Sequence, residues 1–210
     1  MVYYALLDIS DLSDENVDLI RQCISVHFTD RANLKRKESV AAKALLCHTL
    51  QTVFGVTDFL VDCDEKGKPF IVGENLYFNI SHSEKFVLCA CGGEQVGCDI
   101  QTVSLYKKRV AERFFTAEES SFLEDCDDKD RAFTRLWTLK ESLLKYSGDG
   151  IGGGLDSCDF SECVHDDTFS KNGLIFNTFE NTEYVMSFCS ETGELSQFQI
   201  DIKEMIKFGK

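Results

Sequence analysis

Proline is almost missing from this sequence. Pro69 is the only one in 210 residues, which excludes a proline-rich linker or stiff extended spacer. Basic residues are scarce as well: 22 lysines and arginines stand against 36 aspartates and glutamates, for a net charge of −14. Neither nucleic acid nor an anionic membrane is then an expected partner, because both demand an excess of positive charge. A local basic pocket for one phosphorylated ligand stays open. No apolar run approaches the ~18 residues of a membrane span. The opening stretch, Met1-Val-Tyr-Tyr-Ala-Leu-Leu-Asp8, has no charged n-region and no small-residue cleavage site. The expectation is a cytoplasmic protein, and a monomer. No Cys-x-x-Cys occurs among the ten cysteines, so they read as reduced, buried, structural thiols.

Apolar residues make up 43% of the chain, enough for a substantial core in one or two domains. Residues 1–9 read as a strand. Residues 13–26 read as an amphipathic helix capped by Ser13. Residues 35–54 form a second helix, with Ala41, Ala44, Leu45, His48 and Thr52 at helical period and Gly55 as its stop. Strands are expected over 59–62, 69–72, 76–80, 85–91 and 95–101, the last two as a hairpin across Gly92-Gly93. Helices follow Thr116 and run over about 129–146 up to Gly148, and Gly152-Gly153-Gly154 marks a loop. Strands over 174–179, 183–189 and 195–202 complete the chain. The fold class is therefore α+β. Two pseudo-symmetric halves are expected, 1–103 and 104–210, each an antiparallel sheet packed with a long helix.

Four segments can carry chemistry. In Val96-Gly-Cys-Asp99-Ile-Gln101, strand alternation puts Asp99 and Gln101 on one face. A mid-strand carboxylate needs a partner; a metal would supply one, and the plainer reading is a solvent-facing strand. In Trp137-Thr-Leu-Lys140-Glu141-Ser-Leu-Leu-Lys145, Trp137, Glu141 and Lys145 share a helix face. Alone, Glu141 and Lys145 would be an ordinary surface ion pair. Asn79-Ile-Ser81-His82-Ser83 breaks two strands with hydroxyls and an imidazole. It is either a phosphate cradle or a polar turn. Thr116 and Glu119 form a capping box, with Glu119 also a candidate acid. Lys35, Arg36, Lys37 and Lys43 cluster on the first-half helix and Lys68 sits in a turn. They read either as a solvated face or as a pocket for several phosphates.

In order, Gly67-Lys68-Pro69, Phe78-Asn-Ile-Ser-His-Ser83, Val96-Gly-Cys-Asp-Ile100, Arg113-Phe-Phe115 with Glu119, and Trp137-Thr-Leu-Lys-Glu-Ser142 with Lys145 and Gly148 resemble the Sfp-type (surfactin synthetase activator) phosphopantetheinyl transferases. The resemblance covers about residues 35–155. It implies Mg²⁺ and coenzyme A between two halves, and transfer of 4′-phosphopantetheine to a serine of an apo acyl or peptidyl carrier protein, releasing 3′,5′-ADP. Asp99 and Glu141 match metal carboxylates. Gln101 stands where Glu is commoner, as a weaker oxygen donor. Lys43, Lys68, Ser81, His82, Lys140 and Lys145 match residues that hold coenzyme A, with Lys43 aligned across a one-residue gap. Glu119 is the expected proton acceptor, with Lys145 second. A metal-dependent phosphohydrolase and a weak paralogue that only binds coenzyme A or carrier are the alternatives.

Overall fold

The computed structural model describes residues 1–29, 36–148 and 154–208. The elements run β1 (Val2–Asp8), α1 (Asp14–Ile24), α2 (Lys37–Phe54), β2 (Val61–Cys63), β3 (Pro69–Ile71), β4 (Tyr77–Ser83), β5 (Phe86–Gly92), β6 (Val96–Thr102), α3 (Lys108–Phe114), α4 (Ala117–Asp125), α5 (Lys129–Ser147), β7 (Thr168–Lys171), β8 (Leu174–Glu180), β9 (Tyr184–Ser190), β10 (Leu195–Gln197) and α6 (Ile202–Phe208). The expected α+β class holds. Lys35 and the glycines at 152 and 153 lie outside the described residues. Among the described residues, no helix is long and apolar enough to cross a membrane.

The chain divides into two compact units, Met1–Val96 with Glu194–Lys210, and Gly97–Gly193. The seam thus falls at 96–97 instead of 103, and the last stretch returns to the first unit. In the first unit the sheet order is β10-β1-β5-β4. β1 and β4 flank β5 antiparallel along its whole length, and β10 joins parallel to β1. α1 starts where Ser13 Oγ accepts from the Asn16 N–H at 3.3 Å and Asp14 and Glu15 face the positive helix end. α2 stops at Gly55, whose φ of 70° suits the left-handed cap that glycine adopts without strain.

Four expectations change here. The hairpin over 85–101 does not form: β5 has two edges, β1 and β4 occupy both, and β6 joins the other unit's sheet. The last strand is three residues long, and α6 replaces its end, because Ile202, Met205 and Ile206 repeat at helical spacing and pack on the first core. Residues 79–83 lie inside β4; the turn is Glu84-Lys85, with Glu84 at φ 49°. α2 is buried on nearly every side, from Val40 to Leu50 apart from His48, since the sheet, α1 and α6 all pack on it. Leu45, Leu46 and Leu50 have no exposure, each contributing roughly 1.5–3 kcal/mol by burial.

The second unit's sheet has the order β6-β9-β8-β7, antiparallel from β9 to β7, and α5 packs across β9 and β8. All ten cysteines stand outside disulfides; six are buried, three half-buried, and Cys23 is exposed.

Candidate active site

The second unit's long helix lies close on its first strand because Gly97 has no side chain. A Cβ there would meet the Ser142 carbonyl and the Tyr146 backbone of α5, with Tyr146 Cα at 2.9 Å. Buried hydroxyls fix the same helix to the sheet: Thr138 and Ser187 share a 2.8 Å hydrogen bond, and Ser187 and Thr178 a 3.2 Å one. The face carrying Trp137, Glu141 and Lys145 remains partly exposed. Trp137 rests against Phe114, Phe115 and Phe133, with centroids 6.0–6.4 Å apart. The tryptophan on this stripe thus anchors α5 and leaves the polar positions accessible.

Across the gap Gly97 opens, β6 presents Asp99 to that face. Lys145 Nζ donates to Asp99 Oδ1 at 2.6 Å, and Gln101 Nε2 donates to Asp99 Oδ2 at 3.3 Å. Asp99 is 2% exposed and Lys145 27%, so the carboxylate is held inside and the ammonium at the mouth. Burial disfavours the Lys145 ammonium, but Asp99, then Cys98 and Glu141, outweigh it and hold the group above its ordinary value. Burial pushes the Glu141 carboxyl up, the Asp99 charge pushes it further, and Lys145 offsets part of this. Four sequence-expected residues, Asp99, Gln101, Glu141 and Lys145, are thus brought together.

Lys140 and Glu119 are placed elsewhere in the second unit, paired with each other. Lys140 is 1% exposed and Glu119 is fully buried, their charges 2.7 Å apart. Glu119 Oε1 accepts from the Phe160 N–H at 2.8 Å and Oε2 from the Thr116 N–H at 2.9 Å. The capping box is real, and it consumes the carboxylate.

The remaining expected residues belong to the first unit. Lys43 is buried with Nζ 5.2 Å from the Phe28 ring centre, and burial holds its ammonium below the ordinary value. Lys68 sits in the β2–β3 turn, where its backbone N–H donates to Asp64 Oδ1 at 2.8 Å. Ser81 is buried and His82 exposed on β4. Their segment pairs residue by residue with β5 along one edge, and β4 is the last strand of that sheet. α2 and β3 both pack against β4.

A cavity of about 310 Å³ opens beside Gln101, lined by Ser104, Lys107, Val110, Phe133, Thr134 and Trp137. Of these only Gln101 and Trp137 stand out in the sequence. The missed signal is Lys107-Lys108-Arg109, a basic run in an acidic chain, exposed at the start of α3.

Among the described residues no three His, Cys, Asp or Glu side chains gather as a metal site. The donor set is two carboxylates and one amide. Asp99 raises the proton affinity of Glu141, so the two negative charges repel, and a hard divalent cation relieves that repulsion. Carboxylate and amide oxygens suit such an ion, which keeps several waters and substrate oxygens besides. The residues fit.

The family model described as the 4′-phosphopantetheinyl transferase superfamily matches residues 95–201. The chain is 31% identical over 177 residues to the 4′-phosphopantetheinyl transferase ffp of Bacillus subtilis, covering 80% of this chain and 78% of that protein. It is 38% identical over 114 residues to the 4′-phosphopantetheinyl transferase Sfp of Bacillus subtilis (strain 168), covering 53% and 50%. With the 4′-phosphopantetheinyl transferase HetI of Nostoc sp. (strain PCC 7120) it shares 35% over 128 residues, 55% and 54%. The chain thus spans about half the length of these last two relatives.

Proposed function

The chain belongs to the 4′-phosphopantetheinyl transferase superfamily, and on that premise we propose that it transfers 4′-phosphopantetheine from coenzyme A to a serine of an apo acyl or peptidyl carrier protein. The observation that carries the reading is the cluster of Asp99, Gln101, Glu141 and Lys145, with Lys145 bound to Asp99 at 2.6 Å. A serine oxygen attacks the β-phosphorus of coenzyme A, the pyrophosphate P–O bond breaks, and 3′,5′-ADP leaves. Such a transfer depends on positioning and on neutralising charge.

Asp99 and Glu141, with the Gln101 oxygen, would hold Mg²⁺. When bound, Mg²⁺ neutralises pyrophosphate charge and orients its oxygens. Lys145, protonated at the mouth of the site, supplies further positive charge to the leaving group. We assign the serine proton to Glu141, a partly exposed carboxylate on the accessible face of α5. His82, Ser81, Lys68 and Lys43 are the proposed contacts to coenzyme A phosphates. Lys107, Lys108 and Arg109 give an acidic carrier a complementary surface on a chain that otherwise repels it.

Mass spectrometry of apo carriers mixed with coenzyme A, Mg²⁺ and this protein tests the proposal. A mass gain equal to the phosphopantetheine arm on at least one carrier is expected. No gain across fatty-acid, polyketide and peptide-synthetase carriers, with free phosphate or ADP formed instead, overturns it.

A further inference from the structure

Lys140 precedes Glu141 on α5 but does not share its surroundings. An ammonium has three N–H donors, and Lys140 has three acceptors: Glu119 Oε2 at 2.7 Å, the Leu155 carbonyl at 2.6 Å and the Cys158 carbonyl at 2.8 Å. The rings of Phe115 and Phe160 lie 5.5 and 5.7 Å from the same nitrogen. No donor is left for a phosphate. Glu119 is equally committed, to Thr116, Phe160 and Lys140.

We infer that Glu119 and Lys140 act as one buried positioning pair, which fixes the rotation of α5 and so the direction in which Glu141 and Lys145 face Asp99. The inference rests on the transferase reading above for the meaning of that direction. Three segments meet in the pair: the first turn of α4 through Glu119, the middle of α5 through Lys140, and the stretch Leu155–Phe160 through two carbonyls and one amide. Consecutive residues on a helix stand about 100° apart, so locking Lys140 inward turns Glu141 to the neighbouring, partly exposed face. A small rotation would swing Lys145 away from Asp99. Ionic groups suit this task better than apolar ones, because a saturated set of directed bonds admits one geometry.

The test compares wild type, Glu119→Gln, Lys140→Gln and the double variant in carrier phosphopantetheinylation at saturating Mg²⁺, with rates expressed per folded enzyme. Each single variant strands one buried charge; the double variant removes both and keeps amide donors and acceptors. The singles should lower kcat by about 10–100-fold with KM for coenzyme A nearly unchanged. The double variant should be at least about tenfold faster than either single, as coupled partners are. Losses that simply multiply in the double variant overturn the pairing. A large rise in KM for coenzyme A wherever Lys140 is replaced restores that lysine to the phosphate site. If the singles do not fold, kcat and KM of the double variant decide alone: near-wild-type values support the pair, and loss of either refutes it. If the wild type modifies no carrier, the transferase reading has failed, and melting still reads the pair: singles below the double variant support it, additive losses overturn it.

Discussion

Replacing Gly97 with alanine should separate the two halves of the candidate site without touching a polar group. The new methyl would sit 2.9 Å from Tyr146 Cα and nearer still to the Ser142 carbonyl and Tyr146 amide. Carbon atoms rest about 3.5–4.0 Å apart, and these obstacles are backbone atoms of a packed helix, which cannot rotate away. β6 and α5 must part by roughly 1 Å. Overpacking of this kind costs about 1–3 kcal/mol, and backbone obstruction places Gly97→Ala at the upper end. For a chain this long about 3 kcal/mol corresponds to a melting point lower by about 6–12 °C. The same opening stretches the 2.6 Å bond from Lys145 to Asp99. A misplacement of about 1 Å can cost about a hundredfold in rate. Thermal melting and carrier-modification rates, taken well below the variant's transition, measure both. Gly93→Ala is the control, since nothing lies within 4 Å of its added carbon. A Gly97→Ala protein with wild-type melting and rate would refute the claim that this glycine sets the site.

Glu141→Gln should cut transfer by about a hundredfold or more yet raise the metal-free melting point at pH 8. The folded Glu141 carboxyl lies above its ordinary 4.5, so its contribution favours folding at low pH and is lost as pH rises above that value. Melting in chelator at pH 5 and pH 8 checks this; a variant that melts below wild type at pH 8 contradicts it. Gln101→Glu adds an anionic oxygen beside Asp99 and should lower the Mg²⁺ concentration for half-maximal rate, and superimposable Mg²⁺ titrations would remove residue 101 from the metal site. His82→Ala, an exposed change, and Lys68→Ala should weaken coenzyme A binding by calorimetry, and unchanged affinity in both would move the phosphate contacts elsewhere.

Local sequence carried the parts of this molecule whose cause is local. Ser13 and Thr116 cap the helices they were expected to cap, Gly55 and Gly148 end theirs at positive φ, and strand and helix periods put Asp99 with Gln101 and Trp137 with Glu141 and Lys145. What periodicity cannot carry is which edge a strand joins. Gly92-Gly93 reads as a hairpin turn, but β1, more than eighty residues earlier, already occupies the β5 edge that β6 would need. Likewise the sequence places Lys140 one residue from Glu141 and cannot say that one faces the core and the other the surface. Glu119 and Phe160 decide that, because a buried ammonium turns toward the acceptors that tertiary packing brings to it.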